Sequence, residues 1–416
     1  MDGSGNGGGD PSPTLAWVPK NVSTSKLAGF GTTIFAEMSA LAVETGAINL
    51  GQGFPDTDGP SAVLDAAVDA IRRGVNQYPP GPGDPDLRAA VAEHQRHWYG
   101  LELDPASEVV VTAGATEALA GALLGMLDAG DEVVVFEPMY DSYQAAIALA
   151  GARVVPVLLA PDHTGRFVFD PDELRRAVSS HTKLILLNTP HNPTGKVFDL
   201  DELRLIADVA VEHDLIVVTD EVYEHLLFDG RRHVPIATLP GMFERTLTIS
   251  SGGKTFHTTG GKIGWMSGAE PLVTAATTAK QFLTFVNGAP FQPAMAVGLR
   301  LPDGYFAQLA ADLQTARDHL VTGLDAAGFT ALVPEATYFV TVDIRSVDPA
   351  GDGMTFCRSL PERCGVVAVP DEVFYVRPEH GRHLVRFACC KQLDVIDAAA
   401  SQLAAGFATP VSGETA

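Results

Sequence analysis

The chain has 416 residues, 46% of them hydrophobic, so it can bury a sizeable core and is long enough for two domains. Acidic residues outnumber basic ones by 51 to 28, and the resulting net charge of −23 repels nucleic acid and anionic membrane surfaces, so neither is expected as a partner. A small anionic substrate would need local basic residues to bind.

The first residues read "MDGSGNGGGDPSP" and lack the basic start and apolar centre of a signal peptide. Residues 1–20 are therefore predicted to form a disordered, glycine-rich lead. No apolar run approaches the 18 residues typical of a membrane span. A reduced, cytoplasmic setting without a metal site is expected, because no zinc-type C-x-x-C pair occurs among the four cysteines, Cys357, Cys364, Cys389 and Cys390.

From about residue 60 onward, helical and strand patterns alternate. "SAVLDAAVDAIRRG" and "PDLRAAVAEHQRHWYG" have the apolar spacing of helices. "EVVVT" leads through "AGAT" into the helical "EALAGALLGML", and the strand "DEVVVFEP" precedes the helix "YDSYQAAIALAG". Further β-branched runs are "ARVVPVLL", "KLILLNTP", "LIVVTDE" and "TLTIS", separated by helical stretches. This alternation, with continuously apolar strands, predicts an α/β protein with a buried, mostly parallel sheet.

The pattern changes after about residue 290. A long helical stretch over residues 305–328 precedes the strand-like runs "YFVTVDI", "GVVAVP" and "HLVRFACC", which is typical of a smaller α+β domain. We therefore expect a large domain over residues 61–290, and a small domain made of residues 21–60 together with residues 291–410.

Polar and aromatic side chains follow the strands of the predicted sheet. In open α/β sheets the ligand binds beyond the carboxyl ends of the strands, so these side chains are expected to converge on one crevice. They are Gly114, Ala115 and Thr116 after "VVVT", Tyr140 after "VVVFEP", Asn188 and Asn192 after "LILL", Asp220 and Tyr223 after "IVVT", and Lys254 after "LTIS".

The segment "SSGGKT" suggests two quite different roles for Lys254. A nucleotide-binding P-loop requires a glycine six positions before the lysine, and that position is Thr248, inside an apparent strand. The P-loop is therefore disfavoured. A lysine on a solvated loop is the plain alternative, and covalent attachment of a cofactor is the chemical one.

The convergent residues match what a pyridoxal phosphate site needs. That site requires a lysine for attachment, a carboxylate at the pyridine nitrogen, donors for the phenolic oxygen and the phosphate, and an arginine for the substrate carboxylate. Taken singly, each residue also has an ordinary explanation, such as a helix cap for Asp220 or a structural ion pair for Arg386. The combination favours the cofactor site, with Lys254, Asp220, Asn192, Tyr223, Ala115, Thr116, Ser251, Lys262 and Arg386 as candidates.

From about residue 33 to residue 407 the chain resembles the fold-type I pyridoxal-phosphate aminotransferases of class I/II. The motifs that carry the resemblance are "NLGQGFPD", "NQYPPGPGDPDLR", "VTAGATEAL", "FEPMYDSY", "PHNPTG", "TDEVYEHLLFDG", "SSGGKTFHTTGGKIGW" and "LVRFACCK". Within the family the chain is most similar to the kynurenine/glutamine aminotransferase branch. "FAEMSALA", "NLGQGFPDTDGP" and "VNQYPPGPG" resemble actinobacterial proteins assigned as N-succinyldiaminopimelate aminotransferases.

The resemblance implies a role for each candidate residue. Lys254 would attach pyridoxal 5′-phosphate as a Schiff base and move the proton between the substrate Cα and the cofactor, with Asp220 at the pyridine nitrogen. These two residues and Tyr223 form the expected catalytic set. The other cofactor contacts would be Asn192 and Tyr223 at the phenolic oxygen, Tyr140 stacked on the ring, and Ala115, Thr116, Ser251 and Lys262 at the phosphate.

For the substrate, the resemblance implies that Arg386 binds the α-carboxylate, helped by Asn192 and the Gly53 backbone. It also implies a homodimer, in which Tyr78 reaches the phosphate of the other subunit. The sequence departs from the family at "TGGK", where Gly261 replaces the usual tryptophan. We expect glycine to make the phosphate loop more flexible, since it restricts the backbone least.

The reaction expected is the transfer of an amino group between an L-amino acid and a 2-oxo acid such as 2-oxoglutarate. A cysteine-S-conjugate β-lyase, or an oxidase or decarboxylase on the same fold, is the alternative, and a non-catalytic regulator is a third hypothesis. The donor stays open between N-succinyl-LL-diaminopimelate and an aromatic, methionine-like or glutamine-type amino acid. Phe54, Tyr140, Phe282 and Phe285 predict an aromatic wall for its side chain.

Overall fold

The structure of the protein is a computed structural model that describes residues 24–31, 33–349 and 351–407. The predicted disordered lead over residues 1–20 lies outside these ranges. The helices are α1 (Ile34–Thr45), α2 (Ser61–Arg72), α3 (Pro85–Tyr99), α4 (Gly114–Met126), α5 (Asp141–Ala150), α6 (Pro171–Ala177), α7 (Leu200–Glu212), α8 (Gly252–Thr255), α9 (Glu270–Lys280), α10 (Phe291–Leu299), α11 (Asp303–Ala326), α12 (Gly353–Cys364) and α13 (Leu393–Phe407).

The strands are short, as the sequence predicts. They are β1 (Ile48–Asn49), β2 (Val109–Thr112), β3 (Glu132–Glu137), β4 (Arg153–Leu158), β5 (Ala160–Pro161), β6 (Phe167–Val168), β7 (Thr182–Asn188), β8 (Ile216–Asp220), β9 (Thr246–Ser251), β10 (Gly264–Gly268), β11 (Thr330–Leu332), β12 (Phe339–Asp343), β13 (Val366–Val367), β14 (Val369–Pro370) and β15 (Leu384–Ala388).

Seven strands form the large sheet, in the order β2-β10-β9-β8-β7-β3-β4. Every neighbouring pair is parallel except those of β10, which runs antiparallel to both β2 and β9. The predicted mostly parallel sheet is therefore confirmed, and the sequence analysis missed the antiparallel strand.

The sheet is buried on both faces. Successive side chains of its strands point in opposite directions, and apolar side chains pack against helices on each side. In β7, Ile185 and Leu187 pack into a core that includes α7, whereas Leu184 and Leu186 pack into a core that includes α4 and α5. Helix α7 begins with a capping box, in which Asp199 and Glu202 satisfy each other's backbone N–H groups. The helices thus cover both faces and leave the strand ends free to carry the site.

A second, antiparallel sheet has the order β11-β12-β15-β14. Its strands share a core with α1, α11, α12 and α13, so this part of the chain has the α+β character that the sequence predicts. Strands β1 and β13 add a short parallel pair. The limits 61–290 and 21–60 plus 291–410 stay predictions. Helix α10, at the predicted boundary, packs against α2 and α3.

Among the helices of the described ranges, none has the length and apolar character needed to cross a membrane.

Candidate active site

A cavity of about 470 Å³ opens at the carboxyl ends of the parallel strands. Asn188 ends β7, Asp220 ends β8 and Ser251 ends β9, and all three line the cavity. The structure brings together eleven of the predicted site residues: Gly53, Ala115, Thr116, Tyr140, Asn192, Asp220, Tyr223, Ser251, Lys254, Lys262 and Arg386.

Asp220 is a buried carboxyl group held by three neighbouring segments. Its Oδ2 accepts a hydrogen bond of 2.8 Å from the Tyr143 hydroxyl, and its Oδ1 accepts one of 3.3 Å from the Val222 N–H. The Asn188 side chain donates to the Asp220 carbonyl at 2.8 Å. Burial raises the pKa of Asp220 above its ordinary value, while the Tyr143 hydrogen bond and the nearby Lys254 lower it. Such a carboxyl group is suited to face a positively charged ring nitrogen.

Tyr143 was not among the site residues predicted from the sequence. It lies on α5, three residues after Tyr140, and the rings of the two tyrosines meet edge to face with centroids 5.7 Å apart. A tyrosine on the buried face of a predicted helix is usually a core residue, so the sequence carries no signal for its contact with Asp220.

Lys254 lies in the short helix α8, immediately after β9. Its Nζ donates a hydrogen bond of 3.2 Å to the Gly53 carbonyl, which also accepts one of 2.7 Å from the Tyr338 hydroxyl. Burial lowers the pKa of Lys254 to about 8, and the neighbouring Cys390 and Asp220 oppose that shift. The lysine is therefore closer to its neutral, nucleophilic form at physiological pH than an ordinary lysine is.

The two glycines before Lys254 are required by close packing. A Cβ on Gly252 would collide with Met295, and a Cβ on Gly253 would lie 3.1 Å from the Thr259 backbone. Gly252 therefore allows α8 to pack tightly against α10, and Gly253 allows it to lie close to Thr259.

The start of α4 forms a concave donor site. Gly114 begins this helix with a left-handed φ of +73°, and the N-cap residue is Ala113, whose side chain has no hydrogen-bond acceptor. A Cβ on Gly114 would lie 3.3 Å from Lys262 Nζ, and one on Gly264 would lie 2.5 Å from the Gly114 carbonyl carbon. Strand β10 therefore approaches the helix N-terminus closely because residue 264 is glycine, and Lys262 Nζ lies next to Gly114. Backbone N–H groups and an ammonium group together suit a phosphate.

Arg386 is a buried cation with free hydrogen-bonding capacity. Its Nη1 donates to Asn192 Oδ1 at 2.9 Å and its Nη2 donates to the Gly51 carbonyl at 3.3 Å. Its guanidinium carbon lies 4.0 Å from the Phe339 ring centroid and 4.8 Å from that of Phe374. In the described ranges 24–31, 33–349 and 351–407, no carboxylate oxygen comes within 4.0 Å of its nitrogens. This arrangement can bind a carboxylate.

Two tyrosines complete the wall of the cavity. The Tyr223 ring meets that of Tyr338 edge to face at 5.4 Å, and burial raises the Tyr223 pKa far above its ordinary value. Burial likewise raises the pKa of Tyr140 to about 12. Both hydroxyl groups are therefore protonated at neutral pH and can donate hydrogen bonds.

Tyr78 does not line the cavity of the single chain. It is 82% exposed, and its ring packs edge to face on Phe285 at 5.5 Å. Of the expected aromatic wall, Phe54 and Tyr140 line the cavity, whereas Phe282 and Phe285 lie on the exposed surface. Tyr78, Phe282 and Phe285 thus contribute to exposed apolar surface outside the cavity.

A buried polar cluster lies behind the site. His94 Nε2 and His225 Nε2 are 2.7 Å apart, and Glu224 accepts hydrogen bonds from Tyr99 and Ser250. Burial lowers the pKa of His94 to about 3 and that of His225 well below its ordinary value, so both rings are neutral. Two nitrogens on one zinc ion would be about 3.3 Å apart, given Zn–N bonds of about 2.0–2.1 Å. The observed spacing is that of a hydrogen bond, and we assign no metal to the cluster.

The residues present fit pyridoxal 5′-phosphate. The glycine-lined start of α4, with Lys262 beside it, suits the phosphate, and the buried Asp220 suits the ring nitrogen. Lys254 lies in the same cavity with a lowered pKa.

Comparisons with known proteins agree with this chemistry. Residues 45–401 match the family model of aminotransferase class I and II. The chain is 50% identical to a probable N-succinyldiaminopimelate aminotransferase of Mycobacterium tuberculosis, over 92% of this chain and 98% of the relative. It is 39% identical to the methionine aminotransferase of Escherichia coli, again over 92% and 98%.

Solved aminotransferase structures also superpose closely on this chain. The N-succinyldiaminopimelate aminotransferase structure from Mycobacterium tuberculosis superposes with a TM-score of 0.90 at 49% identity, covering 92% of this chain and all of that one. The methionine aminotransferase structure from Escherichia coli superposes with a TM-score of 0.88 at 38% identity, covering 94% of this chain and all of that one. The chain therefore belongs to the class I and II aminotransferases, fold-type I enzymes that depend on pyridoxal 5′-phosphate and exchange an amino group between an amino acid and a 2-oxo acid.

Proposed function

We propose that this aminotransferase takes the amino group of N-succinyl-LL-diaminopimelate and passes it to 2-oxoglutarate. The observation that best supports amino-group transfer is that Lys254, Asp220 and Arg386 line the same cavity. The choice of donor is supported by the Mycobacterium tuberculosis relative, which is half identical over nearly all of both chains.

The cofactor would be held along the strand ends and the start of α4. When bound, pyridoxal 5′-phosphate supplies an aldehyde that receives the amino group and a ring that withdraws electrons from the substrate Cα. The Asp220 carboxylate would hold a proton on the ring nitrogen, since a buried positive charge there favours its ionised form. The remaining contacts are assigned to Ala115, Thr116, Tyr140, Asn192, Tyr223, Ser251 and Lys262.

Lys254 would move the proton at the substrate Cα. Its lowered pKa favours the neutral amine that can accept this proton, and its hydrogen bond to the Gly53 carbonyl holds it at the cavity wall. Arg386 would fix the substrate α-carboxylate, assisted by Asn192 and the Gly53 backbone. Because a guanidinium binds a carboxylate in a planar fork, it would also orient the Cα–H bond.

A donor with further carboxylates needs further cations near the rim of the cavity. Lys391 lies beside Phe54, a cavity residue that is 46% exposed. Its Nζ donates a hydrogen bond of 2.9 Å to the Phe54 carbonyl and lies 4.6 Å from the Phe54 ring centroid. We assign Lys391 to a distal carboxylate of the donor, a contact that a methionine side chain could not make.

The enzyme is further proposed to act in the cytoplasm as a homodimer. Tyr78, Phe282 and Phe285 are large and exposed, and an apolar surface of this kind is typical of an interface between subunits. In such a dimer, Tyr78 would contact the phosphate held by the partner subunit.

A donor screen tests the proposal. The holoenzyme is incubated with 2-oxoglutarate and N-succinyl-LL-diaminopimelate, methionine, kynurenine or glutamine, and glutamate, 2-oxo acid and ammonia are measured. We expect the succinylated donor to give the highest kcat/KM, with equal amounts of glutamate and 2-oxo acid. Ammonia in place of glutamate would overturn the aminotransferase assignment in favour of a lyase or oxidase.

Lys391→Met tests the choice of amino donor separately from the aminotransferase reaction. It should raise KM for the succinylated donor about tenfold or more, since one charge-assisted contact contributes about 1.5–3 kcal/mol, and should leave methionine kinetics unchanged. An unchanged KM for the succinylated donor would contradict the role given to Lys391.

A further inference from the structure

Asp371 lies on the same face of the small sheet as Arg386. In the antiparallel strands, Arg386 is directly opposite Thr341 of β12 on one side and Val369 of β14 on the other. Directly opposite residues project from the same face of a sheet. Asp371 follows β14 by one residue, and its Oδ2 accepts a hydrogen bond of 3.2 Å from the Thr341 hydroxyl. Its carboxyl group is thereby tied to the residue opposite Arg386.

Both groups are buried and incompletely bonded. Asp371 is 0% exposed and Arg386 is 1% exposed. Among the residues that the structure describes, none forms a hydrogen bond with Asp371 Oδ1 or with Arg386 Nε. A buried charge without a partner is costly, so a buried guanidinium and a buried carboxyl group on one face stabilise each other as opposite charges. Among the groups whose charge acts on Arg386, Asp371 has the largest effect in raising the pKa of that guanidinium.

We propose that Asp371 is a positioning residue that serves as the resident counter-charge of Arg386 and competes with substrate carboxylates for its guanidinium, so that a carboxylate ligand binds together with a proton. This inference rests on the proposed function, in which Arg386 binds the substrate carboxylate. Asp371 itself is not placed in contact with the substrate.

The sign of the resulting pH dependence follows from the charges. Burial raises the pKa of Asp371 to about 7, while Arg386 and the Thr341 hydrogen bond pull it down. Below this pH the carboxyl group is neutral and Arg386 faces the ligand with its full charge. Above this pH two carboxylates would share one guanidinium, so the ligand binds more weakly. Ligand affinity therefore falls as pH rises through about 7.

Other titratable groups face this pair. Burial raises the pKa values of the Cys357 thiol and the Tyr375 hydroxyl beside Asp371, and of Tyr223 and Tyr338 beside Arg386, so these four stay neutral near pH 7. Asp141, at the start of α5, is a second acid whose charge acts on Arg386. The experiment must therefore separate Asp371 from Asp141.

The test measures binding of 2-oxoglutarate to the holoenzyme without an amino donor, by titration calorimetry at pH 6 to 8 in two buffers of different ionisation enthalpy. For the wild type, Kd should rise about three- to tenfold from pH 6 to pH 8, with net proton uptake on binding. Asp371→Asn keeps the size of the side chain and should remove most of that rise, bind more tightly at pH 8 and take up correspondingly fewer protons. Asp141→Asn, and Glu372→Gln on the same segment, should keep the wild-type profile.

Wild-type pH dependence and proton uptake in Asp371→Asn would overturn the inference. Should that variant fail to fold, Thr341→Val removes the donor to Asp371 and should shift the transition to higher pH, and an unshifted transition would overturn the inference as well. Arg386→Lys separates this result from failure of the proposed site. If Arg386→Lys bound 2-oxoglutarate like the wild type, the carboxylate site itself would be wrongly assigned.

Discussion

Tyr143 of α5 donates a hydrogen bond of 2.8 Å to Asp220 of β8, a residue 77 positions later in the chain. Both side chains are buried, with exposures of 2% and 8%. Burial favours the neutral form of Asp220, whereas this hydrogen bond favours the ionised form. Tyr143 thus helps to keep the carboxyl group charged at the place where the cofactor ring nitrogen is expected.

Tyr143→Phe should weaken cofactor binding. The hydroxyl is lost while the ring remains, so the pKa of Asp220 should rise and its attraction for the ring nitrogen should fall. A hydrogen bond to a charged group contributes about 1.5–3 kcal/mol, so we expect about a tenfold or larger rise in cofactor Kd, measured by absorbance titration of apoenzyme. Tyr305→Phe is the control, since it also loses a tyrosine hydroxyl that donates a partly buried hydrogen bond, to the Thr255 carbonyl, and should bind cofactor normally. Equal cofactor affinity in both variants would contradict this role.

Asp220→Asn should give a folded protein that still takes up cofactor but transaminates very slowly. An amide cannot hold the ring nitrogen protonated as a carboxylate does. The measurement is a single-turnover half-reaction with a good amino donor, followed by the change in cofactor absorbance. A rate near that of the wild type would show that Asp220 is structural only.

Lys254 should capture the cofactor faster as pH rises through about 8. Only the neutral amine attacks an aldehyde, and with a pKa of about 8 roughly a tenth of this lysine is neutral at pH 7. The check is the rate of the absorbance change after apoenzyme is mixed with pyridoxal 5′-phosphate from pH 6.5 to 9.5. Lys254→Ala should fold, show no such phase and lack turnover. A midpoint near 10.5, or capture by the alanine variant, would refute the assignment.

Where its signals are local, the sequence predicts which residues line the cavity. Asp220, Lys254 and Asn192 directly follow apolar strands or short turns, so their shared edge of the sheet could be inferred without coordinates. Strand β10 was missed because "GWMSG" has two glycines among five residues. Its pairing with β2 and β9 depends on tertiary structure and not on local sequence. Asp371 was missed for the same reason, since only the strand register reveals its closeness to Arg386.

Gly261→Ala should stabilise the protein modestly. A Cβ at this position would have no neighbour closer than 3.9 Å, in the Phe291 ring, and the backbone is not left-handed. Alanine restricts the unfolded chain more than glycine does, so we expect a gain of about 0.4–1 kcal/mol in the free energy of unfolding, with cofactor affinity unchanged. Gly264→Ala is the matched contrast, because its Cβ would clash with the start of α4. This variant should lower both the free energy of unfolding and the cofactor affinity. Destabilisation by Gly261→Ala would mean that the loop needs glycine.

The expected shared site can be tested with hybrid dimers. Tyr78 lies outside the cavity of its own chain, so its proposed phosphate contact must be made in the partner subunit. A hybrid of Lys254→Ala and Tyr78→Ala chains would then contain one site with both native residues, and at limiting cofactor it should have about half of the wild-type activity. The matched hybrid pairs wild type with the Tyr78→Ala/Lys254→Ala double variant, and its single lysine-bearing site lacks Tyr78, so it should have about half of the activity of the Tyr78→Ala homodimer. If Tyr78 instead served its own subunit, these two results would be exchanged, and the proposed contribution across the interface would be wrong.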